Sequence, residues 1–182
     1  MSRGRVLIAL GRLLLPGLLA AAPLHAQPSE KAVKAAFLPK FARYVAWPPG
    51  AEPGAGQPYQ LCIIGRDPFG RMVDQAAAGE VIEGHPVTVR RLTAADGANG
   101  CHLAFVGGDS EERTQRMLAA LARLPVLTIT DDRLGKTRGM IHFLIAGGRV
   151  RFLIDDATAD AHGINLSSRL LALAISVTQR PQ

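Results

Sequence analysis

Tyr59-Gln60-Leu61-Cys62-Ile63-Ile64-Gly65-Arg66-Asp67-Pro68-Phe69-Gly70 is the stretch that decides the fold. Its first seven residues form a short, mostly apolar run of strand length. Asp67-Pro68 then turns the chain into a helix expected to reach about Ala78. Working outward, the alternation continues. Pro86–Leu92 reads as a second strand, with Val87 and Val89 on one face and Thr88 and Arg90 on the other. His102–Val106 reads as a third. Gly107-Gly108 leads into a helix capped by Asp109 or Ser110, its apolar stripe made by Thr114, Met117, Leu118, Leu121 and Leu124. Pro125–Thr130 is nearly continuous in apolar character, which suits a strand covered on both faces.

Two more strands, Met140–Ala146 and Arg149–Ile154, flank Gly147-Gly148, the composition of a two-residue hairpin turn. A short helix is expected over Asp155–His162 and a closing helix over Ser167–Thr178. Toward the amino end, Ser29 caps a helix expected to run to Trp47, kinked at Pro39 and stopped by Pro48-Pro49. Strands alternating with helices give an α/β fold: a single domain with a mixed, mostly parallel sheet, helices on both faces and a late antiparallel hairpin.

Residues 1–26 stand apart from this pattern. Arg3, Arg5 and Arg12 make a basic start, and Leu13–Ala22 supplies an apolar stretch before a small-residue region. That is the layout of a cleaved signal peptide, with cleavage expected after Ala26. The stretch is interrupted by Pro16-Gly17 and is much shorter than the roughly 20 apolar residues a spanning helix requires. The mature domain is therefore read as 27–182. Removing the three leader arginines lowers the formal net charge from +6 to +3. So small an excess, on an exported chain, argues against nucleic acid as a partner. Export to the periplasm also places Cys62 and Cys101 in an oxidising compartment, where an even pair is read first as a disulfide. Two separate buried thiols are the alternative.

Catalytic and metal chemistry find little support. Gly65 and Gly70 have the glycine spacing of a phosphate loop, but Arg71-Met72 stands where lysine and a hydroxyl residue are needed. Asp109 would repel an anion at the start of the following helix. His85, His102, His142 and His162 do not occur at metal-ligand spacings, and no Gly-x-Ser-x-Gly elbow is present. Asp131-Asp132 and Asp155-Asp156 sit where carboxylates serve turns and caps. No enzyme, metal or cofactor is expected. Four of the nine aromatic residues, however, fall in the first helix: Phe37, Phe41, Tyr44 and Trp47. Its apolar residues spread over roughly 200°, about twice the width of a one-sided stripe. Either the Pro39 kink lets the core absorb them all, or part of the helix meets a partner. On the second reading Leu38, Phe41 and Trp47 are the candidate contact residues.

Taken together in order, several segments resemble the YfiR family of periplasmic regulators over nearly all of the mature chain. They include Ala35-Ala36-Phe37-Leu38 with Phe41 and Trp47-Pro48, Leu61–Gly65 with Asp67-Pro68-Phe69-Gly70, and Cys101–Gly107. Pro125–Ile129, Gly139–Phe143, Arg149–Phe152 and Ile164–Leu171 complete the set. The resemblance implies a periplasmic inhibitor that binds the sensing domain of an inner-membrane diguanylate cyclase and lowers cyclic di-GMP. Redox state and an outer-membrane lipoprotein relieve such inhibition, which leaves Cys62 and Cys101 as the candidate redox element. A second copy of the chain is a further candidate partner. The competing expectation is a periplasmic small-ligand receptor serving a histidine kinase or transporter, with its ligand in the crevice of the α/β sheet.

Overall fold

The computed structural model describes residues 27–180, and the expected signal peptide lies outside them. The first helix, α1, covers Glu30–Phe37. Ser29 begins it by accepting a hydrogen bond from the Ala32 N–H at 3.2 Å, with Glu30 placed favourably at the positive end of the helix dipole. The helix does not reach Trp47, as the sequence suggested. Pro39 has no N–H to continue the ladder, so the chain tightens into a 3₁₀ segment over Pro39–Tyr44 and then extends as β1, Val45–Ala46.

The strand–helix unit first read from the sequence forms as expected: β2 covers Tyr59–Gly65 and α2 covers Arg71–Ala78. A two-residue strand, β3 (Val81–Ile82), precedes β4 (His85–Leu92), and a short 3₁₀ turn over Ala95–Gly97 leads to β5 (Leu103–Gly107). Helix α3 (Glu111–Leu121) starts on Ser110, whose hydroxyl accepts from the Arg113 N–H at 3.2 Å. Next come β6 (Leu127–Asp131), β7 (Ile141–Ala146) and β8 (Arg149–Asp155). Gly147 and Gly148, at φ 56° and 69°, supply the positive φ values that a tight primed hairpin turn demands. The chain ends with α4 (Asp156–Ala161), β9 (Asn165–Leu166), α5 (Ser168–Leu171) and β10 (Ser176–Thr178).

The closing helix is thus one turn long instead of spanning Ser167–Thr178. Ile175, Val177 and Thr178 are β-branched and favour extended backbone. The open edge of β8 takes them: β10 pairs with it in parallel, Ser176 opposite Leu153, and the Ile175 N–H donates to the Phe152 carbonyl at 3.1 Å.

Eight strands form one sheet in the order β10-β8-β7-β6-β5-β2-β4-β3, and β1 pairs antiparallel with β9 beside it. From β4 through β7 every pairing is parallel. The β7–β8 and β3–β4 pairs are antiparallel. Helices cover both faces, which is why the central strands are apolar at successive positions. Leu61, Ile63, Leu103, Phe105, Leu127 and Ile129 pack into the larger core with residues of α1 and α2. Cys62, Ile64, Ala104 and Val106 pack into a smaller core with Met117 and Leu121 of α3.

Candidate functional site

In an open α/β sheet, ligands commonly enter at the carboxyl ends of the strands where the winding direction reverses. Here β2 leads to β4 on one side and β5 returns on the other, so the reversal lies between β2 and β5. Close contacts crowd that crevice. The Arg66 N–H donates to the Gly107 carbonyl at 2.6 Å. A Cβ placed on Gly107 would strike the Leu134 side chain and approach the Arg66 carbonyl oxygen to 3.0 Å. The Gly108 N–H donates to Thr114 Oγ1 at 3.0 Å, and that hydroxyl donates to the Ser110 carbonyl at 3.1 Å. Backbone contacts and the Leu134 side chain thus crowd the crevice in which the sequence reading placed a small ligand.

Leu38, Phe41 and Trp47 correct a second expectation, because they are 0%, 2% and 5% exposed and belong to the larger core. Phe41 lies edge-on to Phe152 at 5.5 Å between ring centroids and 5.8 Å from Phe143, with Phe37 stacked at 6.1 Å. Trp47 packs on Tyr59 at 5.2 Å and edge-on to His102 at 5.8 Å. Pro39 is the physical cause: the turn it imposes redirects Phe41 and Trp47, so the wide apolar arc of a continuous helix becomes two inward-facing surfaces. None of the three side chains can serve as an exposed anchor.

The sequence reading missed what holds α1 down. Lys34, 1% exposed, reaches both carboxylate oxygens of Asp131 at 2.7 and 2.9 Å and Glu30 Oε1 at 2.5 Å. Asp131 sits at the carboxyl end of β6 and also accepts from the Arg133 N–H at 3.0 Å. Its role is therefore to ground a helix on the sheet. The Glu30–Lys34 spacing hinted at a helical ion pair; nothing local linked either residue to one 97 positions away. Asp155 and Asp156 likewise serve the fold, one on the backbone and one on a side chain. Asp155 caps α4 by accepting from the Thr158 N–H at 2.9 Å, and buried Asp156 takes two hydrogen bonds from Arg180 at 2.7 and 3.1 Å.

Cys62 and Cys101 are joined in a disulfide, their Cα atoms 5.9 Å apart. Both are buried, and the bond ties β2 to the residue just before β5. Arg90 Nη2 lies 3.1 Å from Cys101 Sγ and donates to the carbonyls of Gly97 and Asn99 at 3.0 and 2.9 Å. Next in the chain, His102 Nδ1 accepts from the Gln60 N–H at 3.0 Å, and burial pushes the imidazole below its ordinary pKa. His142 is buried in the same sense on β7. Thr130 Oγ1 accepts from the Gly139 N–H and shares a second hydrogen bond with His142 Nδ1 at 2.8 Å, and desolvation again favours the neutral ring. His85 and His162 use Nδ1 on the carbonyls of Gln57 and Thr158. Among the described residues no three His, Cys, Asp or Glu side chains gather as a metal site.

A family model described as YfiR/HmsC-like matches residues 31–175. The chain belongs to the YfiR/HmsC-like family. The match begins inside α1 and ends just before β10, so the YfiR/HmsC-like region holds the disulfide, the Lys34–Asp131 pair and the sheet from β1 through β9. No curated protein matches the chain. Among the described residues of this YfiR/HmsC-like protein, no helix is long and apolar enough to cross a membrane.

Proposed function

We propose that this protein is a periplasmic regulator that restrains an inner-membrane diguanylate cyclase through the cyclase's periplasmic domain, lowering cyclic di-GMP. The observation that carries the reading is the YfiR/HmsC-like match over residues 31–175. The buried disulfide supports an oxidising compartment. The polar groups buried in the fold support a regulatory, non-catalytic role: Lys34, Asp131, Asp156, Thr130 and His142 are each consumed by helix docking, tail anchoring or strand pairing. The protein acts by contact, and an outer-membrane lipoprotein is a second partner, as the family suggests. Residues other than Leu38, Phe41 and Trp47 make those contacts, since all three are in the core.

The test is genetic and biochemical together. Deleting the gene should raise cyclic di-GMP, and crosslinking in intact cells should capture a membrane cyclase. Unchanged cyclic di-GMP together with no captured cyclase rejects the proposal. Mass spectrometry of the periplasmic protein should find an amino terminus near Gln27; an intact leader held in the membrane fraction would contradict export and cleavage.

A further inference from the structure

At the end of the sheet opposite the β2–β5 crevice, the amino ends of β2, β5 and β6 border a cavity of about 560 Å³. That volume suits a small organic molecule. The two sides of the cavity differ in chemistry. Ala51, Leu124 and Val126 contribute apolar surface, while Gln60, Arg90 and His102 contribute polar groups. Glu52, on an exposed loop position, is the acidic residue in the lining.

Arg90 is the informative member. Its Nη2 is spent on the Gly97 and Asn99 carbonyls and the contact with Cys101, which fixes the guanidinium in place. Its Nε is buried and finds no acceptor among the described residues. The guanidinium nonetheless places a permanent positive charge in the cavity wall, and an anion is the group that complements it best. His102 adds to this. Because Nδ1 accepts from the Gln60 N–H, the neutral ring carries its proton on Nε2 and offers a donor without a second positive charge. One cation, one neutral donor and an acidic rim match a single negative charge better than a phosphate dianion.

We propose that this cavity binds a small organic monocarboxylate, its carboxylate held by Arg90 and His102 and its apolar body against Ala51, Leu124 and Val126. Calorimetric titration of the purified protein tests it with three probes: phenylacetate, its neutral isostere phenylacetamide, and inorganic phosphate. Phenylacetate should bind saturably, with at least tenfold preference over the amide. Amide shifts in a ¹H–¹⁵N spectrum should concentrate at Gln60, His102 and Val126. Arg90→Gln should weaken phenylacetate tenfold or more, and Arg90→Lys, which keeps the charge, should weaken it less. No saturable phenylacetate binding, equal binding of the amide, or shifts centred elsewhere would overturn the site. Tighter binding of phosphate than of phenylacetate would overturn the ligand class. The comparison of probes on the parent protein stands even if an Arg90 variant fails to fold, and its outcome leaves the cyclase test independent.

Discussion

Replacing Lys34 by Met keeps all but the last atom of the side chain's length and removes its charge, which isolates the ion pair beneath α1. At 2.7 Å and an effective dielectric of about 20, the Lys34–Asp131 attraction is roughly 6 kcal/mol. Desolvating two buried ions costs several kcal/mol each, so the intact pair contributes little net stability. Breaking it is different. With Lys34 gone, Asp131 stays buried at the end of β6 with the Arg133 N–H as compensation, and such an orphaned charge costs about 3–5 kcal/mol. For a chain of this size that is a fall in melting temperature of roughly 6–20 °C. Asp131→Leu alone should cost a similar amount by stranding the ammonium, which then has Glu30 alone. The Lys34→Met/Asp131→Leu double variant should be more stable than either single one, because neither charge is left behind. Urea unfolding of all four proteins supplies the cycle. A Lys34→Met loss below about 1 kcal/mol, or a double variant whose loss equals the sum of the two, would refute the reasoning.

Phe41→Ala should cost about 3–5 kcal/mol in urea unfolding, since Phe41 fills a fully packed site between Phe37, Phe143 and Phe152; a surface anchor would leave stability nearly unchanged. Replacing Cys62 and Cys101 together by Ser should lower stability by up to about 4 kcal/mol for a closure of 39 positions, and a reductant should destabilise the parent but not the variant. Burial lowers the pKa of His102 and His142, so the unfolded chain takes up protons first as pH falls: their contribution is complete above the ordinary imidazole value of 6.5 and is lost below it. Melting temperature should therefore drop as pH falls below 6.5, and His142→Asn should flatten that drop.

Much of this architecture was legible because its signals are local. Continuous apolar runs marked the doubly covered strands, and Gly147-Gly148 marked a turn whose backbone admits few other residues. Ser29 and Ser110 announced helix starts by a chemistry contained within three residues. The failures were non-local. Ile175–Thr178 follows leucines and alanines that favour helix, whereas the edge of β8, more than 20 residues earlier, decides the matter. Pro39 was expected to bend one helix; it ends that helix, and a two-residue pairing of Val45 with Leu166 captures the chain beyond. The same non-locality leaves burial undecided in the sequence, between core and partner surface. An apolar arc of 200° is surplus only on a straight helix, and the aromatic partners of Phe41 come from the hairpin some hundred residues away. Arg90 carried no local signal, since its meaning comes from the 95–101 loop and from Cys101.

The position of the disulfide within the sheet determines what its loss should do. Between Cys62 and Cys101 lie α2, β3 and β4, with β3 and β4 forming one end of the eight-stranded sheet. This end unit holds the rest through the β2–β4 pairing and through α2, and it folds back to β5 across a connection that contains only a 3₁₀ turn. Without the covalent tie, opening that connection would no longer have to stretch a closed ring, so the end unit could separate while β5, β6 and β7 remain paired. Stability is lost unevenly in such a case, first where few elements cover the strand. Arg90 opposes the opening by holding the Gly97 and Asn99 carbonyls to β4, and this latch acts on the same loop as the disulfide. The two restraints are therefore partly redundant: the serine variant should show faster amide exchange in β4 than in β6, and adding Arg90→Gln should widen that gap by more than the same substitution does with the disulfide intact.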